Sequence, residues 1–196
     1  MDLATHIWVN ISSKHRLPSD LNAPTVKASL KKGHEDLENS LVEKIKEIAL
    51  RHTSNVKRDV YPHKHDESVS DIGDCDVLAY LKDKNILLNI ESKIIDPPHS
   101  NKDAGRMQRK LFGEAKEDGT FKKGYLQRVE EREKYLKAKG KDLMTKIGWE
   151  TSTADLKVIS VFVTKMGFWW TKHPPVSTEV KFVETRLLDD FIKKLQ

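Results

Sequence analysis

Residues 73–93 read GDCDVLAYLKDKNILLNIESK. Two apolar, strand-like runs flank Lys-Asp-Lys-Asn, and four charged groups, Asp74, Asp76, Glu91 and Lys93, stand toward their outer ends. A charge buried in such a run costs several kcal/mol unless it is paired or holds a metal. Either the strands lie at a sheet edge with their charges in water, or the charges form a site.

The turn decides which charges meet. With a loop of two or four residues centred on Asp83-Lys84, Tyr80 faces Leu87, Leu78 faces Asn89, Asp76 faces Glu91 and Asp74 faces Lys93. Directly opposed Cβ atoms lie about 4.5–5.5 Å apart. Two carboxylates that close repel each other unless a divalent cation lies between them. Alternation places Glu91 and Lys93 on one face, with Ser92 pointing away. A loop of three or five residues slips the register and loses the pairing.

Upstream of the hairpin, residues 35–52 read as a helix, with Leu37, Leu41, Ile45 and Ile48 on one stripe and Glu38 within that apolar face. A carboxylate there needs a partner, or else it complements the helix dipole and reaches out to solvent. Asn55 to Tyr61 reads as a short strand and Pro62 to Ser70 as a polar loop. Downstream, Pro97-Pro98 ends the second run, and two basic helical segments come next, at 103–117 and 122–139, with Gly119 between them. Residues 156–164 are a β-branched run and read as a buried strand. Trp169-Trp170 and His173-Pro174-Pro175 read as loop, Val180 to Val183 as a last strand. Leu187, Leu188, Phe191, Ile192 and Leu195 mark a closing helix. This order implies an α/β fold with a mixed sheet. Residues 1–32 read as an extension, with Ile7-Trp8-Val9 as a short strand and with Pro18 and Pro24 as breakers of regular structure after it. Residues 33–196 read as the domain.

The 196 residues suit one domain with such an extension. Hydrophobic residues make up 37% and charged residues 33%, enough for a core beneath a strongly charged surface. The formal net charge of +5 favours a polyanionic partner. The single cysteine, Cys75, excludes an intrachain disulfide and cysteine-rich zinc sites, and suits a reducing cytoplasmic compartment. No apolar run approaches the ~20 residues needed to span a membrane. No signal-peptide pattern opens the chain, so no membrane partner is expected.

A helix glutamate, then an aspartate, then Glu-x-Lys on a paired strand is a known constellation. The chain resembles the PD-(D/E)xK nuclease superfamily in Gly33-His34-Glu35-Asp36-Leu37-Glu38, in Gly73-Asp74-Cys75-Asp76-Val77-Leu78 and in Ile90-Glu91-Ser92-Lys93. The likeness covers residues 33–140 and, more loosely, the strand and helix after 156. Cys75-Asp76 stands where the family's name has Pro-Asp. The specificity lies in context: apolar strands on both sides, a hairpin between, an acidic helix before.

The resemblance implies a restriction-endonuclease-like, three-layer α/β/α sandwich that hydrolyses DNA phosphodiester bonds with Mg2+, for which Mn2+ would substitute. Asp76 and Glu91 would hold the metal together with the carbonyl of Ser92. Glu38 would orient the attacking water or help with a second ion. Lys93 would lower the pKa of that water and offset developing negative charge. Gln127, in Gly124-Tyr125-Leu126-Gln127-Arg128, matches a Gln or Lys that several branches carry near the site; its plainer reading is an exposed helical glutamine. Lys102, Arg106, Arg109, Lys110, Lys122, Lys123, Arg128 and Arg132 come after the site and would track a phosphate backbone, unless the interleaved glutamates make them a solvated helical surface. His63, His65 and Asp66 read as a solvated turn rather than a zinc site, and Trp169-Trp170 as packing rather than base stacking.

Two alternatives stay open beside the nuclease: a catalytically silent nuclease-fold domain that binds nucleic acid or protein, and a structural α/β domain with edge-exposed charged strands. The sequence leaves open DNA against RNA, the cutting mode, and whether the chain pairs with a second copy or belongs to a larger parent protein.

Overall fold

The hairpin forms with a four-residue connection. In the computed structural model, which describes residues 24–69, 72–95, 98, 100–167 and 169–196, strand β2 (Cys75–Leu81) pairs antiparallel with β3 (Ile86–Lys93). A 3-10 turn, Lys82–Lys84, and Asn85 at φ 51° join them. Asn85 takes this left-handed conformation because its amide bonds outward, donating to the carbonyls of Ala154 and Asp155 at 2.9 and 2.7 Å. The register runs from Leu81↔Ile86 through Tyr80↔Leu87 and Leu78↔Asn89 to Val77↔Ile90, the one expected of a loop of two or four residues.

Around this hairpin a mixed five-stranded sheet has the order β1-β2-β3-β6-β7, with β1 Val56–Val60, β6 Lys157–Thr164 and β7 Lys181–Glu184. β1 is antiparallel to β2, while β6 runs parallel to β3 and β7 parallel to β6. The fold is α/β with helices about a mixed sheet. β2 and β3 are interior strands, so their apolar runs are buried on both faces. The edge-exposed reading of their charges is thereby overturned.

The chain divides into two units, Met1–Leu41 and Val42–Gln196, and the division falls inside the first helix, α1 (Pro24–Leu50). Pro24 opens this helix rather than breaking it, since a first-turn proline gives up an N–H that has no helical partner. Within the first unit, Lys31 pairs with Glu35 and His34 with Glu38, each one turn apart, and Leu37 is exposed rather than on the buried stripe. The expected strand at Ile7-Trp8-Val9, Pro18 and Pro97 lie outside the described residues. Within the second unit, Ile45, Ile48 and Ala49 are buried, and Glu43 pairs with Arg58 of β1 at 2.5 Å.

The polar loop after β1 contains a short helix, α2 (Pro62–His65). The basic segments are helices α3 (Asn101–Phe112) and α4 (Tyr125–Lys146). Ser100 caps α3 by accepting from the Asp103 N–H at 3.1 Å. Between α3 and α4 sits a hairpin too short to show in the sequence, β4 (Glu114–Ala115) with β5 (Phe121–Lys122). Residues 113–117 are therefore not helical, because the helix ends at Gly113. Gly113 has φ 75°, and a Cβ there would lie 2.5 Å from the Phe121 ring and 2.6 Å from the Lys122 carbonyl. α4 lays Leu136, Leu143 and Met144 on Leu78, Tyr80 and Leu87 of the sheet. Trp169–Lys172 forms one helical turn, α5, and a 3-10 turn at Thr185–Leu187 leads into the closing helix α6 (Leu188–Lys193). No described helix is long and apolar enough to cross a membrane.

Candidate functional site

The antiparallel ladder between β2 and β3 extends to Val77↔Ile90, one step short of the expected Asp76–Glu91 pair. At that step a side chain takes over. Oδ2 of Asp76 accepts from the Ser92 N–H at 2.6 Å and from the Ser92 hydroxyl at 3.0 Å. Ser92 therefore engages Asp76 rather than pointing away from it.

Glu91 and Lys93 share a face, as alternation predicts, and the Lys93 ammonium lies 2.8 Å from Glu91 Oε1 and 3.7 Å from Asp76 Oδ2. These three side chains are only 8%, 21% and 13% exposed, for Glu91, Lys93 and Asp76. The other oxygen of Glu91, Oε2, accepts a short hydrogen bond from Arg132 of α4. Arg132 is 2% exposed and also donates to the carbonyl of Ile72 at 3.2 Å. Gly73, at φ 81°, lets it in: a Cβ there would stand 2.9 Å from Arg132 Nη1.

Arg132 is thus not one of the surface cations that the basic run suggested. Its place was readable from helical spacing, because Val129, Arg132, Glu133 and Leu136 follow i, i+3, i+4, i+7 and all are buried. A guanidinium on that stripe must meet an anion. The result is a largely buried quartet, Asp76, Glu91, Lys93 and Arg132, with two charges of each sign.

Burial raises the Asp76 carboxyl above its ordinary range and the Glu91 charge adds to this, while Lys93 and the Ser92 bonds oppose the shift. Beside the quartet, Tyr61 is held protonated to higher pH, first by the charge of Asp74 and then by burial. Asp74 also hydrogen-bonds the Tyr61 side chain. Among the described residues no group of three or more His, Cys, Asp or Glu side chains is arranged to hold a metal ion.

Of the remaining predicted residues, Glu38 belongs to the first unit, where its carboxylate faces His34 at 3.3 Å. Gln127 is engaged locally: Oε1 accepts from the Gly124 N–H at 2.8 Å and Nε2 donates to the Phe112 carbonyl at 3.1 Å, which fixes the start of α4. Arg106, Arg109, Lys122, Lys123 and Arg128 come together with Lys110 around a cavity of about 240 Å³ between α3, the β4–β5 hairpin and the first turn of α4. Lys102 is exposed on α3 and does not line this cavity. Tyr125 lines it, and the Lys93 ammonium stands 5.4 Å from the centre of the Tyr125 ring, so cavity and quartet share a wall.

Asp66 is bound to Lys139 at 2.8 Å and to the Ser68 hydroxyl, which ties its loop to α4. Trp170 packs on the Leu111–Phe162 cluster, whereas Trp169 is exposed.

No protein-family model matches the chain, and no curated protein or solved structure matches it either.

Proposed function

We propose that residues 42–196 form a restriction-endonuclease-like sandwich that hydrolyses DNA phosphodiester bonds at the Asp76–Glu91–Lys93 site with the help of Mg2+. The observation that carries this reading is the placing of two carboxylates and an ammonium within one partly enclosed site, on interior strands, where each would otherwise cost stability. Buried in interior strands, such charges cost stability unless they are paired or hold a metal.

A hard divalent cation would take an oxygen of Asp76 and would need Lys93 to give up Oε1 of Glu91. Asp76 takes both of its hydrogen bonds at Oδ2, and its raised pKa marks negative charge that burial and Glu91 leave poorly compensated. Mg2+ asks for only one or two carboxylates and keeps most of its waters, so a cage of three acidic groups is not required. Asp76 and Glu91 would hold it, with the Ser92 carbonyl as a further oxygen. When bound, the ion lowers the pKa of water and screens the phosphate charge.

The chain's own groups do the rest. Arg132 fixes the Glu91 carboxylate by one oxygen and leaves the other facing Lys93. Lys93 lies between both acids and is partly exposed, so it is placed to meet a phosphate oxygen and to stabilise the charge that develops on it. Ser92 clamps Asp76 through its N–H and its hydroxyl. The basic cavity behind Tyr125 supplies attraction for the polyanion.

One observation favours a second reading, a domain that binds nucleic acid without cutting it. Both oxygens of Glu91 are already met by cations, Lys93 and Arg132. The two readings separate in a cleavage assay on supercoiled and on linear DNA with Mg2+, with EDTA and with Asp76→Ala. The nuclease reading expects cutting that EDTA and the substitution each abolish. Intact DNA with Mg2+ and with Mn2+, at protein concentrations that bind it, would leave the binding domain standing.

A further inference from the structure

The cavity behind Tyr125 is lined by six cations against the single carboxylate of Glu114. With the neighbouring acids Asp103 and Glu131 counted beside Glu114, three positive charges remain uncompensated here. Arg109 and Lys123 are paired with Glu114 and Glu131, and Arg106 approaches Asp103 at 3.9 Å. Lys110, Lys122 and Arg128 are exposed and form no ion pair among the described residues.

An aromatic ring stands beside these cations. Phe121, on β5 next to Lys122 and Lys123, is 54% exposed. The Cζ and Cε1 atoms of its ring lie against Gly113, where even a Cβ has no room. The hairpin thus presents a half-exposed ring on β5 beside the two lysines that line the cavity, and Tyr125, in the lining itself, forms an aromatic wall next to Lys93. An unpaired nucleic-acid strand requires a basic groove with aromatic side chains along it, because its bases are free to stack while its phosphates track the cations. Paired bases have no free face to offer Phe121.

We infer that this groove binds a single, unpaired nucleic-acid strand, with Phe121 stacking a base and Lys110, Lys122 and Arg128 holding phosphates. The strand leads past Tyr125 toward Lys93, which adds strand preference to the proposed nuclease and rests on that reading only for the chemistry at Lys93.

The test is fluorescence anisotropy on the full chain in EDTA, so that cutting plays no part. The probes are a labelled oligothymidylate, an oligouridylate of the same length and a blunt duplex. Wild type should bind one or both single strands more tightly than the duplex, and the ratio of the two shows whether the groove prefers DNA or RNA. Phe121→Leu, which keeps the packing on Gly113 but removes the π-face, should weaken single-strand binding about 5- to 100-fold, while Phe121→Trp retains it. Lys110→Glu with Lys122→Glu should lower the slope of log affinity against log salt by about 1.4. A thermal melt close to that of wild type shows that each variant is folded. Duplex binding as tight as single-strand binding, or affinity within twofold of wild type in folded Phe121→Leu, would overturn the inference. Single-strand binding that behaves as expected, in a protein that cuts nothing with Mg2+, upholds the groove and removes only the nuclease.

Discussion

Replacing Arg132 by Met tests how the quartet is held. The substitution keeps most of the side-chain volume, so a cavity is not the source of its effect. It removes the cation on Oε2 of Glu91 and the donor to the Ile72 carbonyl. Glu91 keeps Lys93 at 2.8 Å, but its carboxylate remains buried close to Asp76 with half of its compensation gone. Removing one partner of a buried ion pair costs about 3–5 kcal/mol, and the surviving Lys93 contact places this case at the lower end, about 3 kcal/mol. For a chain of this size that corresponds to a fall in Tm of about 6–12 °C.

The companion variant is Arg132→Met with Glu91→Gln, in which no charge is left unpaired at Oε2. Although it carries two substitutions, it should recover much of the loss, because exchanging a buried pair for neutral groups is often neutral or stabilising. Urea unfolding followed by tryptophan fluorescence gives both values, with an unchanged m-value showing that the folded state is intact. A single variant within about 1 kcal/mol of wild type, or a double variant less stable than the single, would refute the account of Arg132 as the holder of Glu91.

Three further outcomes are expected. Asp76→Asn should raise the urea midpoint of the metal-free protein near neutral pH, since burial and Glu91 both disfavour its charge. Its folded pKa lies above the unfolded one, so wild type loses stability as pH rises through the window above 3.8, and the advantage of the asparagine should fade at lower pH. Cys75 is fully buried and its thiol is pushed up to about 12 by that burial. The folded state therefore keeps its proton where the unfolded thiol loses it, stability should decline as pH climbs above 9.0, and Cys75→Ala should lessen that decline in alkaline urea titrations. A thiol reagent should label Cys75 only as fast as the chain unfolds. Gly113→Ala places a Cβ against Phe121 and Lys122 at a positive φ. It should cost about 1–3 kcal/mol and weaken binding of the oligothymidylate.

Some of this is legible in the sequence for definite physical reasons. Once the loop is known to hold four residues, the facing of Leu78 with Asn89 and of Tyr80 with Leu87 follows by counting, but the turn residues themselves do not choose between four residues and three or five. The same counting carries Asp76 to Glu91, but there the ladder gives way to a side-chain clamp on Ser92. Periodicity describes backbone pairing and does not register a carboxylate that competes for a strand N–H. The alternation rule does put Glu91 and Lys93 on one face. Arg132 reads as a surface cation because it sits in a run of charges. Its stripe partners Val129 and Leu136 are the better guide, since a helix face is set by spacing rather than by neighbours. The β4–β5 hairpin escapes because strands of two residues carry no period, and only Asp118-Gly119, with Asp118 accepting from the Thr120 N–H at 2.9 Å, marks its turn. Pro24 reads as a helix breaker, although at the first turn a proline starts a helix as readily as it ends one.

The central claim is that Lys93 acts on the reacting phosphate rather than merely binding the substrate. The measurement that bears on it most directly is the single-turnover rate of cleavage of a labelled strand at saturating protein with Mg2+, for wild type and for Lys93→Ala, with affinity measured separately in EDTA. The account predicts a rate lower by about 10²–10³-fold with affinity within a fewfold of wild type. An unchanged rate, or a loss that saturating protein restores, would contradict it.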